Sequence, residues 1–174
     1  MLPSRHRVAA VLAVPALVLA LSSCSSSAQV PEGYREVTKG NLRVAVPEGW
    51  VDGTPSGSYD LALQDVAGDA FTVRLLASSS SDAGTARNAI SDIRDFAGIV
   101  PDKPTDASEV EREDGREMWS WDITYDDGQY ALAAWALRDD DLDATVVVTL
   151  SSKGALDKEL AEDVRDSIDI VAAD

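Results

Sequence analysis

Two Asp-Gly dipeptides constrain this chain more than any other feature. Asp114-Gly115 and Asp127-Gly128 carry the short-range signature of a two-residue hairpin turn, whose central positions need the positive φ that glycine and aspartate accept. Setting the first turn places Glu113 opposite Arg116, Arg112 opposite Glu117 and Val110 opposite Trp119, with two opposite-charge cross-strand pairs supporting the register. The second turn pairs Tyr125 with Tyr130, Ile123 with Leu132, Trp121 with Ala134 and Trp119 with Ala136, so large side chains face small or aliphatic ones. A third turn within Asp139–Asp143 leads into Ala144–Leu150. The expectation is a four-stranded antiparallel meander running from Ser108 to Leu150.

Upstream, Leu42, Val44 and Val46 alternate with Arg43 and Ala45 in a half-buried strand that ends at Pro47. Pro47-Glu48-Gly49-Trp50 is a turn that returns an aromatic ring to the core, and Val51–Asp60 reads as loop. Short strands are expected over Leu61–Gln64 and Ala70–Leu76, the second with Phe71, Val73 and Leu75 on one face. A helix is expected over Ala83–Ala97, capped by Ser81 or Asp82, with Ala86, Ile90, Ile93 and Ala97 as its apolar stripe and Gly98 as its left-handed end. A second helix, Leu156–Ile168, buries Leu156, Leu160, Val164 and Ile168. Strands, helix, meander, helix make an α+β domain, with helices laid on an antiparallel sheet.

The first residues are of another kind. Arg5, His6 and Arg7 precede an apolar run, Val8–Leu21, that is shorter than the roughly 20 residues a membrane-spanning helix needs and matches a secretory signal. Leu21-Ser22-Ser23-Cys24 then resembles the lipobox of bacterial lipoproteins, in which the thiol accepts diacylglycerol before cleavage. Cys24 is the only cysteine of the chain, so it has no intramolecular disulfide partner. The expected organisation is a signal at 1–23, a lipidated Cys24 with a flexible tether to Gly33, and one globular domain over 34–174. Such a protein is held at the cell membrane by lipid on Cys24 and faces away from the cytoplasm. The tether, as a random coil, spans about 17 Å.

Cleavage before Cys24 leaves 151 of the 174 residues, and loss of Arg5 and Arg7 takes the formal charge from −16 to −18. A domain of that charge repels nucleic acid, whose binding relies on neutralised phosphates. The single histidine, His6, leaves with the signal. The mature chain therefore lacks both imidazole and free thiol, which excludes Ser-His-Asp and Cys-His catalysis and the common zinc, copper and haem sites. No nucleophile elbow, P-loop or dinucleotide fingerprint is present. No catalytic residue, metal ligand or cofactor is assigned.

Some residues nonetheless invite a functional reading. Trp119 and Trp121 share a sheet face with Ile123, Tyr125, Tyr130, Leu132, Val146 and Val148, company that marks core. Trp135 lies on the opposite face with Met118, Ser120, Asp122, Thr124 and Leu137. If both helices cover the first face, then Trp135, Met118, Asp122 and Leu137 form an open partner face. If one helix covers each face, Trp135 is buried, and this second arrangement is expected. Asp139, Asp141 and Asp143 have the alternate spacing of a calcium loop, but the glycine and the bidentate acid that should follow are missing. The Gly53–Ser58 loop has no lysine near it to support anion binding, and Ser78–Ser81 reads as the loop before a helix cap.

Taken together, the lipobox, the Ser-rich tether, the strand ending in Pro47-Glu48-Gly49-Trp50, the helix, the tryptophan-bearing meander and the closing helix resemble the LpqN-type lipoproteins of actinobacteria. The likeness covers nearly all of Tyr34–Val171, as a layout and not as a motif string. It implies a PsbP-like α/β/α sandwich and a non-enzymatic binding or accessory module of the cell envelope. It supplies no catalytic residues to carry over. Three functions follow in order of expectation: an accessory module acting through an envelope protein, a carrier or sensor of an envelope lipid or glycan, and a hydrolase built on carboxylates alone.

Overall fold

A computed structural model describes residues 30–96 and 99–173. The signal, Cys24, Ala97 and the cap expected at Gly98 lie outside the described residues.

Over the described residues the fold is α+β, with two α-helices, a single 3-10 turn at Gly68–Ala70 and two antiparallel sheets. The smaller sheet joins β1 (Tyr34–Lys39), β2 (Leu42–Pro47) and β10 (Asp169–Ile170) in the order β1-β2-β10. The larger one joins β3 (Val51–Asp52), β4 (Leu61–Gln64), β5 (Val73–Ser78), β6 (Ser108–Val110), β7 (Glu117–Tyr125), β8 (Tyr130–Asp139) and β9 (Ala144–Lys153), in the order β3-β4-β5-β9-β8-β7-β6. The helices are α1 (Ala86–Phe96) and α2 (Lys158–Ser167). Of these elements, β1, β3 and β10 were not expected. β3 and β10 are too short to show a period, and β1 is largely solvent-facing, with few apolar positions to mark it.

The β7–β8 hairpin has the expected register, with Tyr125 opposite Tyr130 and Trp121 opposite Ala134. Its turn places Asp126, Asp127 and Gly128 at φ 57°, 54° and 77°, and the Gln129 N–H donates to the Asp126 carbonyl at 3.1 Å across the Asp127-Gly128 pair. The tyrosine rings beside it stack with centroids 5.3 Å apart. The β6–β7 pairing differs from expectation by one residue. Val110 faces Met118 and Glu109 faces Trp119, whereas Val110 was expected opposite Trp119. Here only Gly115 has positive φ, at 72°, and its N–H donates to the Arg112 carbonyl at 3.2 Å. A turn followed by a left-handed glycine adds a residue to the loop. Consequently Arg112 and Arg116 do not pair with Glu117 and Glu113 but both bind Asp114, at 2.7 and 2.8 Å.

A second correction concerns β9. Asp139 faces Ala144 across the turn, which sets Val146 opposite Leu137 and Val148 opposite Trp135. Val146 and Val148 therefore lie on the Trp135 face, not on the Trp121 face. Each face has its own core. On one, Ala86, Ala89 and Ile90 of α1 pack against Trp121, Ile123, Leu132, Ala134 and Val147. On the other, Leu42, Val44 and Val46 of β2, with Val164, Ile168 and Ile170, cover Met118, Trp135, Leu137, Val146 and Val148. The side-chain alternation of β8, buried on both faces, is what a strand between two cores demands.

Helix boundaries follow from caps. Thr85 accepts the Asn88 N–H at 3.1 Å, and the Glu117 carboxylate accepts from Ala86 and Arg87 at 3.3 and 3.4 Å. The orphan donors at the start of α1 are thus satisfied from Thr85 and from β7, not from Ser81 or Asp82. Ser81 instead ties the loop down, donating its N–H to Thr145 at 2.9 Å. Asp157 caps α2 by accepting the Leu160 N–H at 3.0 Å.

Candidate functional site

A gap opens where α2 meets the Trp135 face of the larger sheet. Alternation along β7 sends Ser120, Asp122 and Thr124 toward that gap, and alternation along β8 sends Ala131 and Trp135 there. The facing side of α2 presents Lys158, Ala161, Glu162 and Arg165, at the three- and four-residue spacing that places side chains on one stripe. Leu156 closes one end, and Lys103 and Thr105 come from the segment that runs from α1 to β6. The result is an open groove of about 520 Å³. Its floor is apolar, made by Ala131, Leu156, Ala161 and one edge of Trp135, and its rim is charged.

The rim carries both signs. Lys158 pairs with Glu162 at 3.3 Å, and Arg165 holds Asp166 at 2.7 Å. Asp122 stands in the wall between β7 and α2. Partial burial there pushes its carboxyl above the ordinary carboxylate range, against the pull of Arg165. A groove with an apolar floor and a few convergent polar groups is the usual form of a ligand site.

Of the four residues put forward as a partner face, the structure brings only two to this groove. Met118 is 1% exposed, Trp135 3% and Leu137 0%, because β2, β10 and the end of α2 lie over them. An open face made of Trp135, Met118, Asp122 and Leu137 therefore does not exist. Trp135 floors the groove and Asp122 walls it, while Met118 and Leu137 are core. Lys103, Thr105, Leu156 and Arg165 were missed, since they reach the groove from segments distant in sequence. The one available signal was Ala161, a small residue beside the apolar stripe of α2.

The tryptophans of the other face are fixed by α1. Arg94 lies 5.5 Å over the Trp121 ring and Arg87 lies 5.1 Å over that of Trp119, favourable cation–aromatic contacts. The Trp121 indole N–H donates to the Thr105 hydroxyl at 3.1 Å. In the third turn, Asp139 pairs with Arg116 at 3.4 Å, and Asp140 and Asp143 pair with Arg138 at 2.9 and 2.6 Å. Among the described residues, no three acidic, histidine or cysteine side chains gather as a metal site, and no helix is long and apolar enough to cross a membrane.

No known protein family matches the chain, and no curated protein matches it. Among solved structures it is similar to a point mutant of the protein Mog1 and to the Ran-binding protein Mog1p of Saccharomyces cerevisiae. Each is 13% identical with a TM-score of 0.44, over 77% of this chain and 84% or 83% of theirs. A likeness this distant carries no argument about a partner or an activity.

Proposed function

We propose that this chain is a membrane-anchored extracytoplasmic lipoprotein of the LpqN type, acting as a non-enzymatic binding or accessory module of the cell envelope. The observation that carries the reading is Leu21-Ser22-Ser23-Cys24 at the end of a basic and then apolar leader. Two acyl chains anchor stably where one does not. The strong negative charge of the mature domain keeps it off an anionic membrane surface, so it stands away on its tether. In this reading the domain is a PsbP-like α/β/α sandwich, and β6–β9 form its C-terminal meander.

The test is fractionation of Cys24→Ala. The variant is expected in the soluble extracytoplasmic fraction, with the wild type in the membrane and carrying lipid by mass spectrometry. A mature Cys24→Ala form that still needs detergent for release would overturn the reading.

A second reading, a carrier or sensor of an envelope lipid or glycan, is favoured by the groove beside α2, whose volume lies within the range of small-ligand sites. Mild crosslinking and capture of the tethered protein, followed by mass spectrometry of proteins and lipids, separates the two readings. A discrete protein partner supports the accessory module. A stoichiometric lipid or glycan without a protein supports the carrier.

A further inference from the structure

A second open groove lies on the α1 side of the molecule, between that helix and the loop from Ser56 to Asp60. It has a volume of about 620 Å³, and its wall is of a different kind. Ser58, Tyr59, Ser80, Asp82, Asp92 and Ile93 line it. They supply hydroxyls, one aromatic ring, two carboxylates and an aliphatic patch, and no lysine or arginine. The omission has a structural cause. The cations nearest on α1, Arg87 and Arg94, are drawn over Trp119 and Trp121. Helical spacing puts them on the side of α1 away from Asp92. Among the described residues, neither Asp82 nor Asp92 has an ion-pair partner.

The walls are fixed independently of any occupant. The Asp60 carboxylate accepts the Ser79 N–H at 2.9 Å and also binds its hydroxyl, so the loop is tied to the end of β5. The Asp60 N–H donates to Ala77 at 3.0 Å, and the Ser81 N–H to Thr145 at 2.9 Å. Ser78 and Ser81 spend their hydroxyls on Ser80 and Ala83 backbone atoms, which leaves Ser58 and Ser80 free to meet a ligand. A groove whose walls are already held has less ordering entropy to lose on binding.

We propose that this groove binds a hydroxylated organic cation of amino-sugar type, with its ammonium groups facing Asp82 and Asp92, its hydroxyls on Ser58 and Ser80, and an apolar ring face against Tyr59 and Ile93. This goes beyond the second reading above, whose groove lies beside α2, and commits the α1 groove to a glycan that carries free amines. Neutral sugars lose the charge-assisted hydrogen bonds, and anionic sugars meet two carboxylates with no cation to balance them.

The probe is the disaccharide of glucosamine, titrated against the full mature chain carrying Cys24→Ala, with backbone amide shifts read by NMR. The di-N-acetylated disaccharide serves as its uncharged counterpart. Saturable shifts are expected at Tyr59, Ser80, Asp82, Ala89 and Ile93, with about tenfold weaker binding of the acetylated form, the size of one charge-assisted hydrogen bond. Asp82 and Asp92 are exposed, so Asp82→Asn and Asp92→Asn retain the fold, and each is expected to weaken the glucosamine disaccharide by a similar factor. Equal binding of the acetylated form in the groove would leave the glycan reading standing and overturn the cation. Shifts centred on the acidic turn at Asp139–Asp143, or no saturable shift, would overturn the site itself, whatever the capture experiment finds.

Discussion

Ser167 shows how much one small polar side chain can hold. It ends α2 fully inside the protein. Its hydroxyl donates to the Val164 carbonyl at 2.7 Å and accepts the Ala45 N–H of β2 at 2.9 Å. The hydroxyl thus replaces a missing strand neighbour at the point where β10 is too short to reach. A buried backbone N–H without a partner is costly. Ser167→Ala removes the acceptor without altering volume much, so the expected loss is about 1–3 kcal/mol, read as a lower urea midpoint with unchanged slope. A loss below a few tenths would mean that water reaches Ala45, and that the α2–β2 contact is looser than its distances indicate. Ser167→Cys, similar in shape but a weak acceptor, should fall between the two.

At the scale of elements, ion pairs decide how the smaller sheet is held to the larger. Asp169 of β10 binds Arg43 of β2 and, at 2.6 Å, Arg116 at the foot of β7. Arg116 in turn holds Asp114 and Asp139. Burial pushes the Asp169 carboxyl up, but hydrogen bonds from Arg116 and Arg43 outweigh this and hold it below the ordinary value of 3.8. A carboxyl with a depressed folded pKa stabilises the fold above its unfolded pKa, and that contribution is lost as pH falls through the folded one. Asp169→Asn removes the charge shared by the two arginines, while Arg116 keeps Asp114 and Asp139. The expected cost at pH 7 is about 1–3 kcal/mol. The gap from wild type should stay constant down to about pH 4 and close only below it, where the wild type is itself protonated. A gap independent of pH down to pH 2 would assign the effect to packing instead.

The same region explains why one hairpin was legible in the sequence and its neighbour was not. Both contain Asp-Gly, and local propensity treats them alike. At Asp127-Gly128 both residues take positive φ. At Asp114-Gly115 only the glycine does, because Arg112 and Arg116 grip the aspartate from either side. That grip belongs to the network around Asp169, which is distant in sequence. Long periodic segments such as β8, α1 and α2 were legible because burial on a face imposes a period. The groove beside α2 was not, because Lys103, Asp122, Trp135 and Arg165 share no period and meet only when the layers close. Val146 and Val148 were assigned to the wrong face for a related reason. The side that a strand presents is set by the number of residues in the turn before it, and an Asp-rich turn does not declare its length.

For the whole molecule, the decisive feature is that the larger sheet serves two cores at once. Trp121, Ala134 and Val147 face α1, while Trp135, Val146 and Val148 of the same strands face β2 and α2. Neither core can open without exposing the back of strands that the other needs. The domain should therefore unfold as one cooperative unit, although its layers look separable. Ile90 on the inner face of α1 and Ile168 after α2 are both fully buried and lie in different clusters. Truncation of either to alanine is expected to cost about 2–5 kcal/mol. In each variant, tryptophan fluorescence and far-ultraviolet dichroism should lose signal at the same urea concentration. The double variant should show additive losses, since the two sites share no contacts. Two separated transitions in Ile90→Ala would show that α1 can leave while the α2 side stays folded. The groove between α1 and the Ser56–Asp60 loop would then have one mobile wall, and a ligand bound there should restore the single transition by favouring the closed state.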